Sequence, residues 1–304
     1  VTASSVEQAT SKRQERIPLG ILLMVGAGFL FAVSSATSKW LVTDYPVGEI
    51  LFTRTIISMI ALSTFILPSA GLAVFRTRRA GAHVIRSLSQ ATSQTLLIVA
   101  FSMMPLASAT AINFSAPLFA TLASIFLLKE TVGAARWMAL VVGFLGVLLV
   151  TGPGADMFQA GALYALGNAV LFGTVTAGVR GMTTTESTET LTMYQIVLLS
   201  VAYTLMLPFG FVTPGWGDAL LMLVNGVTNA IGQYWWTRAL HLAPTSAVAP
   251  FQYLSLVWAL IIGFAVWGEV PTVALLIGSA IVVGSGIFLF WHESRRAVVP
   301  TDAP

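Results

Sequence analysis

Apolar residues fill this chain in blocks of about twenty, and short polar or basic intervals separate them. Marking the intervals gives ten segments, 18–41, 48–67, 84–104, 107–128, 135–152, 159–179, 190–211, 217–240, 245–268 and 271–291. Each approaches the ~20 mostly apolar residues that a helix needs to cross hydrocarbon. The pattern predicts an all-α integral membrane protein. Its connections are short, so consecutive helices should pack antiparallel. Residues 1–16 form a polar tail ending in SKRQER, 17–152 a first set of five segments, 159–292 a second set, and 293–304 a closing tail. The first apolar stretch outruns a signal-peptide core and has no small-residue cleavage pattern, so it is expected to remain as a helix.

Composition agrees: 56% of the 304 residues are hydrophobic and only 9% are charged, against about 25% charged in a soluble domain. Absence of cysteine excludes disulfides, thiolate metal sites and a cysteine nucleophile. The net charge of +3 is scattered between apolar segments, which fits topology and not nucleic acid. With the N-terminus placed in the cytoplasm, thirteen of the fifteen Lys and Arg residues fall on or near that side, and Lys39 and Arg54 are the exceptions. Cytoplasmic loops carry that excess in membrane proteins, so both termini are expected there.

The two sets of five repeat each other. GILLMVGAGFLFAVSSATSKW (20–40) lies over GALYALGNAVLFGTVTAGVRG (161–181) at an offset of 141, which pairs Gly20 with Gly161 and Lys39 with Arg180. Past the second segment the offset becomes 139 and pairs Gln94 with Gln233, Pro105 with Pro244, and Glu130 with Glu269. Five crossings per half place the second half in the membrane upside down. Inverted repeats of this kind put a substrate site near the midplane and supply two related states, open to either side.

Polar groups within the apolar segments show where such a site would lie, since they face the bundle interior or a wet cavity. The third segment carries Arg86, Gln90 and Gln94 along one face. The eighth carries Asn225, Asn229 and Gln233, and the 139 offset sets Gln252 of the ninth over Asn113 of the fourth. These amides serve either as glue between helices, at about 0.6 kcal/mol per bond, or as a cavity lining, and their symmetry favours the lining. Arg86 stands nearer its helix end and is expected to snorkel. Tyr234, Tyr253 and Trp258 lie close to the amides and would give the apolar walls of a small-molecule site. The stretch ATAINFSAPLFATLASIFLLKE (109–130) adds a break: Pro117 lacks an N–H, and its ring crowds the carbonyl of Asn113. At the 139 offset Leu256 replaces Pro117 and Pro250 lies earlier in the turn, which predicts a hinge-capable face in each half, less symmetric in its bends than in its amides. Asp44, Glu49, Glu130, Asp156, Glu186, Glu189, Asp218, Glu269 and Glu293 all fall at segment ends or in loops. A carboxylate proton relay therefore has no candidate, and a cation at depth is likewise not expected, which disfavours strongly anionic cargo. His83, His241 and His292 stand near helix ends, away from catalytic or metal-binding company.

FLFAVSSATSKWL (29–41), the Arg of ILFTRTIIS (50–58), and the paired stretches PLASATAINFSAPLFATLASIFLLKE (105–130) and PTSAVAPFQYLSLVWALIIGFAVWGE (244–269) together resemble the drug/metabolite transporter superfamily. Within it the chain is similar to ten-helix proteins with two EamA-type repeats, most of all the aromatic amino-acid exporters of the YddG type. The resemblance implies a central cavity lined by helices 1, 3, 4, 6, 8 and 9, with helices 5 and 10 at the periphery. It also implies export of small neutral or zwitterionic metabolites, aromatic amino acids and methionine among them, by alternating access across a bacterial inner membrane. The alternative cargo is a drug or another metabolite. An intramembrane enzyme is a remote alternative, because no HExxH motif, Asp pair or mid-helix base stands ready to activate a serine. The candidate cavity residues are Gln90, Gln94, Asn113, Asn229, Gln233, Tyr234, Gln252, Tyr253 and Trp258, with Pro117 and Pro250 as hinges. Lys39 and Arg54 are candidate mouth or gating charges, although for Lys39 the role of a cation at a helix C-terminus, snorkelling to the interface, is favoured. The expected partners are a small-molecule substrate and lipid, with no cofactor, metal or nucleic acid, and the working unit is expected to be the monomer.

Overall fold

In the computed structural model, residues 17–116, 118–120, 122–123, 134–151, 156–182, 186–242 and 249–296 are described. Among them there are ten α-helices and no strand. These are α1 (Ile17–Leu41), α2 (Val47–Ala70), α3 (Ala80–Met103), α4 (Leu106–Asn113), α5 (Ala134–Thr151), α6 (Asp156–Met182), α7 (Thr188–Thr204), α8 (Trp216–Leu242), α9 (Leu254–Trp267) and α10 (Val273–Arg296). Short 3-10 turns follow α2 (Gly71–Phe75) and α7 (Leu207–Phe209) and precede α9 (Ala249–Tyr253). By length and composition Pro18–Leu41, Val47–Phe75 and Glu189–Phe209 can each cross a membrane, and five shorter apolar helices accompany them. The face where α1 begins is termed proximal here, and the face where it ends distal.

Three predicted segments differ from the structure in instructive ways. The seventh, expected over 190–211, ends at Thr204, because the ring of Pro208 crowds the carbonyl four residues back. The fourth, expected over 107–128 with a break at Asn113 and Pro117, stops at Asn113, turns through Phe114 and Ser115, and is helical again at Ala116 and 118–120. Pro117 itself lies outside the described residues. The ninth does not begin as an α-helix, since the backbone of Pro250 belongs to the 3-10 turn and regular α geometry starts at Leu254.

Packing is arranged as lipid demands. Leu22, Phe65, Leu145 and Phe264 are exposed, while Ser34, Ser38, Ser58, Ser93, Asn168 and Asn225 are buried. Apolar side chains thus face hydrocarbon and polar ones find partners inside. The most extensive pairings are α1 with α8, α5 with α10, and α3 with α6. Exchanging the two halves turns α1–α8 into α6–α3, α2–α8 into α7–α3 and α1–α9 into α6–α4, all of which are present. The pairs α2–α7, α4–α9 and α5–α10 map onto themselves. This is two inverted five-helix repeats about a pseudo-twofold axis, with α4 and α9 meeting on it.

Close approach depends on glycine where backbones touch. A Cβ at Gly278 would sit 2.8 Å from the carbonyl oxygen of Gly146, and one at Gly146 would sit 3.0 Å from that of Gly278. Membrane interfaces use small residues for this. Gly278→Val should therefore part α5 from α10 and cost about 1–3 kcal/mol by overpacking. Thermal unfolding in detergent would register it as a lowered midpoint.

Candidate functional site

The break that ends α4 meets the 3-10 start of α9. Phe114, at the end of α4, packs on Tyr253, at the start of α9, with ring centroids 5.0 Å apart and planes at 60°. Helix interruption frees backbone groups, which is tolerated at depth only beside protein polar groups or a wet cavity. Asn113 supplies one such group: its Oδ1 accepts a hydrogen bond from Nδ2 of Asn168 on α6 at 2.6 Å. Asn168 in turn accepts at its Oδ1 from Ser93 of α3 at 2.7 Å. A polar chain thus runs from α3 through α6 to α4. In the other half, the Gln252 carbonyl accepts from the Ser255 hydroxyl at 2.8 Å, closing the turn into α9, and the Gln252 side chain is half-buried. The phenol of Tyr253 packs against Gly286 of α10, where a Cβ would collide with it.

The remaining candidates divide. Gln94 accepts from the Arg54 guanidinium across α2 and α3. Gln90, one turn below on α3, is buried at 5% exposure. Asn229 donates to Ser58 of α2 at 3.1 Å. Asn225, its neighbour on the same stripe, is tied on both sides, accepting from Ser34 at 2.6 Å and donating to Ser38 at 2.9 Å. That residue is glue between α1 and α8. Gln233 is half-buried on α8. Trp258 meets Phe29 of α1 edge to face at 5.1 Å. Tyr234 stands apart from the others, 44% exposed and stacked on the exposed Phe65 of α2 at 5.8 Å.

At the distal face, Lys39 closes a compact ionic knot. Its Nζ lies 2.5 Å from Oε1 of Glu269, donates to the Met104 carbonyl at 2.9 Å, and sits 5.2 Å from the centre of the Trp267 ring. Oε2 of Glu269 accepts the Leu106 N–H at 3.0 Å, at the first turn of α4. Local sequence sets this up. Gly268 takes φ +66°, the Gly268 N–H bonds to Phe264 O at 2.9 Å, and the Glu269 N–H bonds back to Gly263 O at 3.2 Å. This left-handed cap turns the carboxylate inward over α9. A second distal tie joins Tyr45 to Asp218 at 2.8 Å. Beside it Glu49, fully buried in the first turn of α2, accepts from the Val212 N–H at 2.9 Å.

Two expectations about charge are corrected. Arg86 does not snorkel; it turns inward to the Leu191 carbonyl at 3.1 Å and Gln195 at 2.7 Å on α7. A cation does stand at depth: Arg54 lies seven residues into α2 and reaches Gln94 in α3. One further residue escaped the sequence reading. Asn168 was hidden because the repeat offset sets Ala27 opposite it, so a search for symmetric amides passes over it. Its signal was a lone amide inside an apolar run. The repeat offsets did single out Lys39 and Glu269, but they paired each with its image in the other half and not with one another. Among the described residues no three His, Asp or Glu side chains gather as a metal would require. An apolar groove of about 490 Å³ between α2 and α7, lined by Met59, Leu67, Met193 and Val197 among others, shares no residue with the amides.

Comparison with known proteins follows the same architecture. The profile of the EamA-like transporter family matches residues 18–152 and 159–291. A riboflavin transporter of Rhizobium johnstonii is 29% identical over 94% of this chain and 95% of its own length. An S-adenosylmethionine uptake transporter of Rickettsia conorii is 26% identical over 89% of this chain and 93% of its own. A pseudopaline exporter of Pseudomonas aeruginosa is 27% identical over 89% and 95%. A solved crystal structure superposes with a TM-score of 0.63 at 21% identity, covering 92% of this chain and 98% of its own. The names of these relatives support metabolite transport, and they do not carry the narrower likeness to aromatic amino-acid exporters.

Proposed function

The chain belongs to the EamA-like transporter family, and from that premise we propose that it carries a small organic metabolite across a bacterial inner membrane by alternating access. The observation that carries this reading is the meeting of a broken helix of one half with the 3-10 start of its counterpart in the other, with Asn113, Phe114, Gln252 and Tyr253 at the junction. Apolar walls with a few oriented amides make a small-molecule site, and irregular backbone from both halves at a repeat interface suits two related openings. The cargo extends beyond amino acids, because the relatives are named for riboflavin, S-adenosylmethionine and pseudopaline.

Purified protein in liposomes tests the reading with riboflavin, S-adenosylmethionine, tryptophan and methionine as probes. Saturable flux of at least one is expected, and flux of none would defeat it. Flux should also persist after an uncoupler is added. The buried Glu49 is held by a backbone N–H, and Glu269 by Lys39, both at the distal face and not at mid-membrane. Abolition of flux by the uncoupler in ion-balanced vesicles would show a proton site in the path.

A further inference from the structure

Among the described residues Arg54 has no counter-charge. It lies seven residues into α2, roughly 10 Å from the distal face at ~1.5 Å per residue. A guanidinium carries five N–H donors, and among the described residues the one acceptor it meets is Oε1 of Gln94. Glu49 is five residues earlier on the same helix, about 140° around its axis, and it is held by Val212. Other interior cations are better served. Lys39 has a carboxylate and a carbonyl, and Arg86 has the two acceptors on α7. The position over Arg54 in the second repeat is Gln195, so the fold does not need a cation there for symmetric packing. A cation kept at depth with one neutral acceptor and no carboxylate among the described residues points to a substrate or ion path.

We infer that Arg54 and Gln94 form the subsite for a single carboxylate of the cargo, an assignment that rests on the transporter reading above. The guanidinium fork matches the two oxygens of a carboxylate. Gln94, having given its oxygen to Arg54, keeps an NH2 that can donate to the same anion. One positive charge balances one negative charge. A phosphate dianion would leave an excess negative charge in the membrane interior, so a carboxylate is the better fit.

Thermal unfolding in detergent with matched probes tests this: N-acetyl-tryptophan against N-acetyl-tryptophanamide, and N-acetyl-methionine against its amide. A ligand bound only by the folded state raises the midpoint with the logarithm of its concentration over its dissociation constant. For at least one pair, wild-type protein should prefer the acid by about tenfold, the range of one charge-assisted hydrogen bond. Arg54→Gln should abolish the preference, and Arg86→Gln should retain it. Arg54→Lys, which keeps the charge and loses the fork, should lower it several-fold and serves if the first variant does not fold. Equal or absent stabilisation by acid and amide in wild type, or an undiminished preference in the Arg54 variants, would overturn the assignment. Acid preference without flux of any probe would sink the transporter reading alone, and flux without acid preference would sink the subsite alone.

Discussion

Lys39→Met and Glu269→Gln are expected to open the distal face, speeding access to the residues beneath the knot by more than about tenfold. The knot fastens three elements that must part if a central site is to face that side: the end of α1, the turn from α3 to α4, and the exit of α9. Lys39 reaches the last two at once, through Met104 O and Glu269, and Glu269 also holds the Leu106 N–H. Both side chains are largely withdrawn from solvent, at 12% and 18% exposure. Charge-assisted hydrogen bonds contribute about 1.5–3 kcal/mol each. At about 1.4 kcal/mol per tenfold, loss of one moves a two-state equilibrium by roughly ten- to a hundredfold. The measurement is simple in this chain because it has no cysteine, so a single thiol at Ala107, buried beside Leu106, is the sole target. A membrane-impermeant maleimide should label it slowly in the parent and fast in either variant. The exchange Lys39→Glu with Glu269→Lys should restore only part of the protection, since a carboxylate at position 39 cannot donate to Met104 O. If the variants lose thermal stability while labelling stays slow, the knot is a static staple and not a gate.

Much of this was legible in the chain because membrane solvent leaves few options. Apolar blocks must be helices, and the bias of basic residues and the offsets of 141 and 139 order them into two opposed halves. Asn113 and Pro117 announced an interruption that the backbone makes at Phe114 and Ser115. What stayed hidden was partnership. Asn225 and Asn229 belong to one polar stripe, yet the first is consumed by two serines of α1 and the second meets Ser58 of α2. Periodicity reports a face, whereas the neighbour across that face depends on helix rotation and tilt. Arg54 is a different miss: its depth could be counted from the sequence, seven residues into α2, whereas the absence of a nearby carboxylate among the described residues is a tertiary fact. Tyr234 shows the reverse error, because adjacency to Gln233 in sequence turns it about 100° around α8, toward Phe65.

Asn113→Leu and Gln252→Leu should each cut flux at least about tenfold while leaving the protein folded. Magnitude separates a lining from glue. An interhelical hydrogen bond in a membrane protein averages about 0.6 kcal/mol, less than a threefold effect on any equilibrium at about 1.4 kcal/mol per tenfold. If Asn113 only braced Asn168, its loss would fall in that range, since Asn168 would keep Ser93. A cavity amide acts differently, because cargo in a water-poor site has no substitute for a missing polar partner. Leu at either position also favours continuous helix over the turn at Phe114 or the 3-10 start of α9, which removes the bend that alternation needs. Because Phe114 and Tyr253 touch at 5.0 Å, the two sites are near enough to couple, and the double variant should fall short of the product of the single losses. Flux within about threefold of wild type for both single variants, at unchanged expression, would place the amides in packing and move the substrate path elsewhere.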